Sequence, residues 1–332
     1  MGFEHIEMDG AMINDPHELA SAFIAEWESD TAYVTAHTSG STGQPKPVRL
    51  SKADMEISAR ATCEFFKLTS SSHLLLTLST DYIAGKMMVV RALLSNSTLT
   101  VLKPATDPFR NQQLPAEVAL VAIVPSQIPA LIEASSRCKF TNIIIGGAPV
   151  LPDQLQQLKD AGLNGWITYG MTETCSHVAL RHISHPFYTA LPGVTFSVDS
   201  RNCLAIKHDT MSFGLLQTND VVELLSPTRF VWLGRQDNVI NSGGIKIHPE
   251  IDEAILAPYI DVNFYIAARP DAKWGELPVL MLEGTDNGHT NQYLAAAASM
   301  LPKYHNPKSA MWTPQFQRTN SGKIKRNKAP WQ

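Results

Sequence analysis

Val118-Ala119-Leu120-Val121-Ala122-Ile123-Val124-Pro125-Ser126 is followed, after a gap of about one helix, by Asn142-Ile143-Ile144-Ile145-Gly146-Gly147. Each is a short, unbroken apolar run closed by turn residues. A strand buried on both faces reads this way, because neither side alternates to water. Ser126 is expected to cap a helix after the first run. Pro152 to Ala161 reads as a helix with proline in its first turn, and Trp166 to Tyr169 as the next strand. Working outward, Leu74 to Leu78 and Thr98 to Leu102 are further strands, and Gly85 to Leu94 is a helix. Ser51-Lys52-Ala53-Asp54 opens another helix with a capping-box-like pattern, running to about Phe66. This alternation of strand and helix predicts an α/β fold with a mostly parallel, helix-covered sheet.

After about residue 190 the rhythm changes. Leu204 to Lys207, Val221 to Leu225 and Arg229 to Leu233 are strand candidates and resemble a small β subdomain. From Val239 an α+β pattern follows: helices at Glu250 to Leu256 and Asn291 to Met300, strands at Asn263 to Ala267 and Val279 to Leu282. The expected division is a large domain over residues 1–234, a hinge at 235–237 and a small C-terminal α+β domain over 238–332.

The chain has 332 residues, enough for about two domains. Hydrophobic residues make up 44% and charged residues 17%, which excludes a disordered chain. The net charge of -4 gives no bulk attraction to nucleic acid or anionic lipid. No apolar run approaches a membrane span, and Met1 to Gly10 has no signal-peptide core. Ile6 breaks the myristoylation pattern that Met1-Gly2 would begin. Cys63, Cys138, Cys175 and Cys203 have no metal or redox spacing, so isolated thiols in a reducing cytoplasm are expected. Asn96-Ser97-Thr98 is read as a chance match to a glycosylation sequon.

Four segments carry chemistry. Thr38-Ser39-Gly40-Ser41-Thr42-Gly43-Gln44-Pro45-Lys46 combines hydroxyls, glycines and a lysine. Glycines let backbone N–H groups approach an anion, and hydroxyls and the ammonium add donors and charge. It suits a polyphosphate, although a polar turn between strands has the same composition. It is not a Walker A loop, since Pro45 and Pro47 deny Lys46 a helix interior. Tyr169-Gly170-Met171-Thr172-Glu173 follows a predicted strand, where open α/β sheets bind ligands. An aromatic there can stack on a base, a hydroxyl can reach a phosphate, and a carboxylate can hold Mg2+. Gly234 to Ile247 and the basic run Arg318 to Arg326 are the third and fourth. Alone, the last is a solvated tail, and one run without aromatics is poor support for nucleic-acid binding.

In this order, from about Tyr33 to Arg326, the segments resemble the acyl-adenylate-forming superfamily of acyl-CoA synthetases, aryl-CoA ligases, adenylation domains and luciferases. The resemblance implies ATP, Mg2+ and CoA, and a small-molecule carboxylic acid. It makes Thr38, Ser39, Gly40, Ser41, Thr42, Gly43 and Lys46 the loop gripping the ATP phosphates. Gly146, Gly147, Ala148 and Pro149 would lie along adenine, with Tyr169, Gly170 and Met171 beside it. Thr172 would contact phosphate, and Glu173 would hold the metal. Asp220 and Arg235 would bind the ribose, Asn219 replacing the glycine usual before that aspartate. Asp237 would be the hinge, and Ser242, Gly243 and Gly244 would border the CoA channel. Lys323 would be the lysine of the adenylation step.

Two departures stand out. Only 37 residues precede Thr38, so a compact member is expected. Tyr82 stands where the family often has histidine. Gly170 to Ser176 is similar to the signature of o-succinylbenzoate–CoA ligases of menaquinone biosynthesis, so o-succinylbenzoate, an aromatic keto acid with two carboxylates, is the expected substrate. Tyr82, Lys86, Arg91, Ser176 and His177 are the acid-pocket candidates. For Arg91 a helix-surface arginine is the competing reading, and for His177 a satisfied core histidine. Another aryl- or acyl-CoA ligase, a carrier-protein-loading enzyme, or a non-catalytic nucleotide-binding protein are the alternatives.

Overall fold

The computed structural model describes residues 5–8, 10–37, 47–318 and 324–326. Thr38 to Lys46 and Lys323 lie outside the described residues. Seven α-helices are described: α1 (Ser21–Glu28), α2 (Lys52–Phe66), α3 (Ile83–Ser95), α4 (Ile128–Ala134), α5 (Pro152–Asp160), α6 (Pro249–Leu256) and α7 (Thr290–Met300).

One sheet of thirteen strands dominates. In its first half Ala11–Asn14, Thr98–Val101, His73–Leu76, Leu120–Ile123, Ile143–Ile145 and Gly165–Met171 run parallel in that spatial order. Successive strand side chains face opposite sides, and the two cores divide accordingly. Leu74, Leu76, Leu120, Ala122 and Ile144 pack with α1, α2 and α3 through Phe23, Met55, Ala59, Met87 and Val90. Leu75, Val121, Ile123, Ile143 and Ile145 pack on the other face with Ile128 and Leu131 of α4 and Leu158 of α5. Burial on both faces is why these strands read as continuous apolar runs.

Beyond Gly165–Met171 the sheet becomes antiparallel through Ser176–His182, Tyr188–Ala190, Arg229–Arg235, Leu215–Ser226, Cys203–His208 and Val194–Val198. The β-rich stretch after residue 190 is thus bonded into the same sheet. It folds over its own core of Val178, Phe196, Ile206, Val222 and Phe230. A five-stranded sheet follows, with Gly275–Glu283 between Phe264–Asp271 and the parallel Ala310–Thr313. α6 and α7 cover it through Leu256, Tyr293 and Ala297.

Two expected helix starts differ in detail. Ser51 caps α2, its hydroxyl accepting from the Asp54 N–H at 3.4 Å. Asp54 does not reach back; its carboxylate accepts from the backbone N–H (2.9 Å) and the hydroxyl of Ser212. Ser126 is exposed and caps nothing, because Pro125–Gln127 forms a 3-10 turn before α4. Gln127 does the work instead: its Oε1 takes the Val124 N–H at 3.0 Å, and its amide donates to the Ala105 carbonyl at 2.8 Å.

Candidate active site

The parallel strands end on one edge, and the Gly165–Met171 strand is the seam there. Gly170 sits at a register shift opposite His177. A Cβ on Gly170 would lie 2.1 Å from the Ser176 carbonyl oxygen, so only glycine lets the chain fold back this tightly. Thr172–Thr174 forms one 3-10 turn, and Cys175 takes a left-handed φ of 59° to leave it. Thr174 staples the turn: its hydroxyl accepts from the Met171 N–H at 3.0 Å and donates to the Ser176 carbonyl at 2.6 Å. Thr172 is half-buried, and Glu173 is exposed at the tip. Next to it, a Cβ on Gly146 would meet the Thr168 hydroxyl at 2.4 Å, so Gly146-Gly147 lies flat on the seam strand.

Asp220 closes a second wall. It lies opposite Arg235 on neighbouring strands. Its carboxylate accepts from the Tyr169 hydroxyl at 2.7 Å and the Trp232 indole N–H at 3.2 Å, and lies 3.8 Å from the Arg235 guanidinium. Burial and the Asp220 charge hold the Tyr169 phenol well above its ordinary pKa, so it remains a neutral donor. Its ring meets Tyr188 and Phe230 edge-on at 5.7 and 5.1 Å. The usual glycine is not required at Asn219, which sits in a continuous strand with negative φ and accepts from Arg201 at 3.2 Å.

Behind the motif turn lies a buried polar chain. Arg91 of α3 is 1% exposed. One guanidinium nitrogen donates to the Ser176 hydroxyl at 3.0 Å, and Nε is buried without a partner. Among the described residues no carboxylate pairs with Arg91. The Ser176 hydroxyl meets His177 Nδ1 at 3.3 Å, and His177 Nε2 meets the Thr62 hydroxyl at 3.1 Å. Thr62 donates to the Ser58 carbonyl at 3.1 Å, so it must accept from His177. This puts the imidazole proton on Nε2, with Ser176 donating to Nδ1. Burial, then the Arg91 charge, holds His177 well below 6.5 and neutral. Burial also lowers Arg91 to about 10.

Residues 8–202 match the AMP-binding enzyme family. The chain belongs to that family. It is 34% identical to an acyl-CoA synthetase (AMP-forming)/AMP-acid ligase II-like protein of Dyadobacter fermentans, with 93% of this chain and 91% of that one covered and a TM-score of 0.63. It is 26% identical to a 2-succinylbenzoate–CoA ligase of Enterococcus faecalis, over 96% of this chain and 73% of that protein. The fold is shared with the o-succinylbenzoate CoA synthetase of Bacillus subtilis in complex with the acyl-adenylate (TM-score 0.75, 22% identity, 89% and 68% covered).

Against this AMP-binding framework the structure gathers Gly146, Gly147, Tyr169, Gly170, Asp220 and Arg235 around one strand end. Ser176 and His177 adjoin them, and Arg91 is buried behind, not on a helix surface. Lys86 and Tyr82 are placed elsewhere. Lys86 is buried against Glu26 at 3.2 Å and over the Phe23 ring at 4.4 Å. Tyr82 is exposed at the start of α3, about 13 Å along the helix from Arg91. Asp237 lies in the 3-10 turn Gln236–Asn238, paired to Arg235 at 3.0 Å. Ser242, Gly243 and Gly244 turn the Ile240–Ser242/Ile245–Ile247 hairpin, with both glycines at positive φ. Trp232, Thr174 and Thr62 were not anticipated. Trp232 is signalled only by strand register, since it stands opposite Val222, two positions from Asp220.

Proposed function

We propose that this chain is an ATP-dependent acid–CoA ligase that converts o-succinylbenzoate to o-succinylbenzoyl-CoA in two steps. The observation that carries the reading is the Tyr169–Asp220 hydrogen bond. It joins the motif strand to the Asp220–Arg235 pair, forming one continuous wall in a member of the AMP-binding family.

A carboxylate is a poor electrophile. Its oxygen attacks the α-phosphorus of ATP, pyrophosphate leaves, and the acyl-adenylate forms. Asp220 offers lone pairs to the ribose hydroxyls, and the Tyr169 and Trp232 donors fix its orientation. Gly146 and Gly147 give adenine a flat backbone to lie on. Glu173 makes no hydrogen bond or ion pair among the described residues, and no group of three or more metal-type side chains is found there. A single free carboxylate suits magnesium, which arrives carrying phosphate and water ligands. The bound ion would neutralise phosphate charge. Lys323 and the Thr38 to Lys46 loop would bring further donors to the phosphates, where charge builds in the transition state. In the second step the CoA thiol gives its proton to solvent, its sulfur attacks the acyl carbon, and the acyl–phosphate bond breaks to release AMP. Rotation about Asp237 would exchange Lys323 for the Gly243-Gly244 side between steps.

The acid assignment is supported by the relatives' names and by Arg91. A buried cation without a counter-charge is costly, and here it polarises Ser176, which is half-exposed beside the motif. An acid with a second carboxylate supplies the missing charge. Among the described residues no helix is long and apolar enough to cross a membrane, and a cytoplasmic setting belongs to the same reading.

The test is pyrophosphate release with ATP, Mg2+ and o-succinylbenzoate, with and without CoA, beside benzoates, indoleacetate and fatty acids. CoA-dependent turnover selective for o-succinylbenzoate is expected. Turnover with another acid would keep the mechanism and replace the substrate. ATP binding with no pyrophosphate released from any acid would defeat the reading. Lys323→Ala is expected to abolish adenylate formation yet leave thioester formation from pre-made adenylate.

A further inference from the structure

Glu250 is the second residue of α6, the first helix after the Asp237 turn. Its Oε1 accepts from the Asn238 side-chain amide at 2.5 Å and from the Arg235 backbone N–H at 3.4 Å. Its Oε2 is buried and has no hydrogen-bond partner among the described residues. Gly234 holds φ at 146°, and a Cβ there would lie 2.3 Å from that oxygen. The carboxylate therefore rests on the bare Cα of Gly234 and holds the turn at both ends.

A buried carboxylate oxygen without a donor is unfavourable. It opposes the two bonds made by Oε1, so this seating competes with any hinge geometry in which Oε2 meets water or a donor. A segment poised in that way is suited to switching, since hinges are a few element-terminal residues that absorb backbone change. One turn further along α6, Glu253 is ion-paired to Arg326, three residues past Lys323. The same helix thus grips the hinge and the segment that follows Lys323.

We propose that Glu250 is the hinge latch: a positioning residue whose carboxylate holds residues 234–238 in the orientation seen here and lets go when the C-terminal part rotates. The proposal rests on the two-step reading above, and its first test does not need activity.

Hydrogen exchange of the 332-residue chain, followed by mass spectrometry over overlapping peptides covering 233–239, reports the Arg235 amide by difference. In Glu250→Ala this amide is expected to exchange about tenfold faster, with the core strand Ile143–Ile145 unchanged. Glu250→Gln keeps an Oε1 acceptor and is expected to stay near the parent. Gly234→Ala should displace the carboxylate and reproduce Glu250→Ala, and the double variant should be no faster than either. The second readout compares adenylate formation without CoA and thioester formation from pre-made adenylate. Glu250→Ala is expected to move the two rates in opposite directions. Unchanged exchange in Glu250→Ala, or both half-reactions falling by the same factor, would overturn the latch. If the parent chain forms no adenylate but Glu250→Ala exchanges faster, the Glu250 clamp on residues 234–238 stands and the two-step function fails.

Discussion

Replacing Arg91 by methionine should make the protein more stable and a poorer enzyme. Arg91 is buried, with one hydrogen bond to Ser176 and an unpartnered Nε. Burial takes its pKa from 12.5 to about 10. At about 1.4 kcal/mol per tenfold change, the folded chain carries about 3 kcal/mol of uncompensated charge. Methionine keeps much of the volume and removes the charge. Ser176 loses a donor, but it is half-exposed and water can replace it. The expected net gain is about 1–3 kcal/mol, measured by guanidinium unfolding followed by tryptophan fluorescence. His177 gives a second readout. Burial is the larger cause of its lowered pKa and Arg91 the smaller, so in the variant its pKa should rise yet stay below 6.5. A depressed histidine contributes stability that is present above pH 6.5 and lost as pH falls toward the folded value. That acid loss should therefore be shallower in Arg91→Met. In activity, KM for the acid should rise at least about tenfold while KM for ATP changes little. A loss of about 3–5 kcal/mol, as when a buried ion pair is broken, would refute the reasoning by revealing an anionic partner for Arg91.

Tyr169→Phe removes a donor from buried Asp220, and KM for ATP in pyrophosphate exchange should rise about tenfold or more with folding retained. Gly170→Ala puts a Cβ against the Ser176 backbone carbonyl, where no side chain can yield. Adenylate formation should fall by more than about a hundredfold while ATP-independent unfolding remains cooperative. Burial pushes the Cys63 thiol up and the Cys175 thiol up to about 12. Native protein at pH 8 should react with iodoacetamide far more slowly than unfolded protein, in which all four thiols are labelled.

The parallel half of the sheet was legible because each strand is buried twice and cannot disguise itself. Ile143–Ile145 and its neighbours show this directly. The antiparallel strands Ser176–His182 and Val194–Val198 are not legible in the sequence, because His177, Arg181 and Ser197 interrupt them and no long apolar run remains. Ser126 misled because a serine before an apolar stretch is a good cap on average, and here Gln127 reaches further to join two loops. For the site, the motif order brought out the residues at the strand ends. Which of Lys86 and Arg91 lacks a counter-charge was invisible, since both lie on one helix. Glu26, from a helix far earlier in the chain, neutralises only the first.

The seam strand Gly165–Met171 pairs parallel with Ile143–Ile145 on one side and antiparallel with Ser176–His182 on the other. The two pairings ask different things of a folding chain. The antiparallel one closes through a four-residue turn, whereas the parallel one waits for α5 to cross over. Local pairings form faster than distant ones. The turn that carries Thr172 and Glu173 is thus built into the earliest contact its strand can make, and pulse-labelled amides at Ile167 and Arg181, which face each other across the antiparallel pair, should gain protection before Ile143 does. On that order the Thr172–Thr174 turn would be in place before the parallel strands are laid down against it.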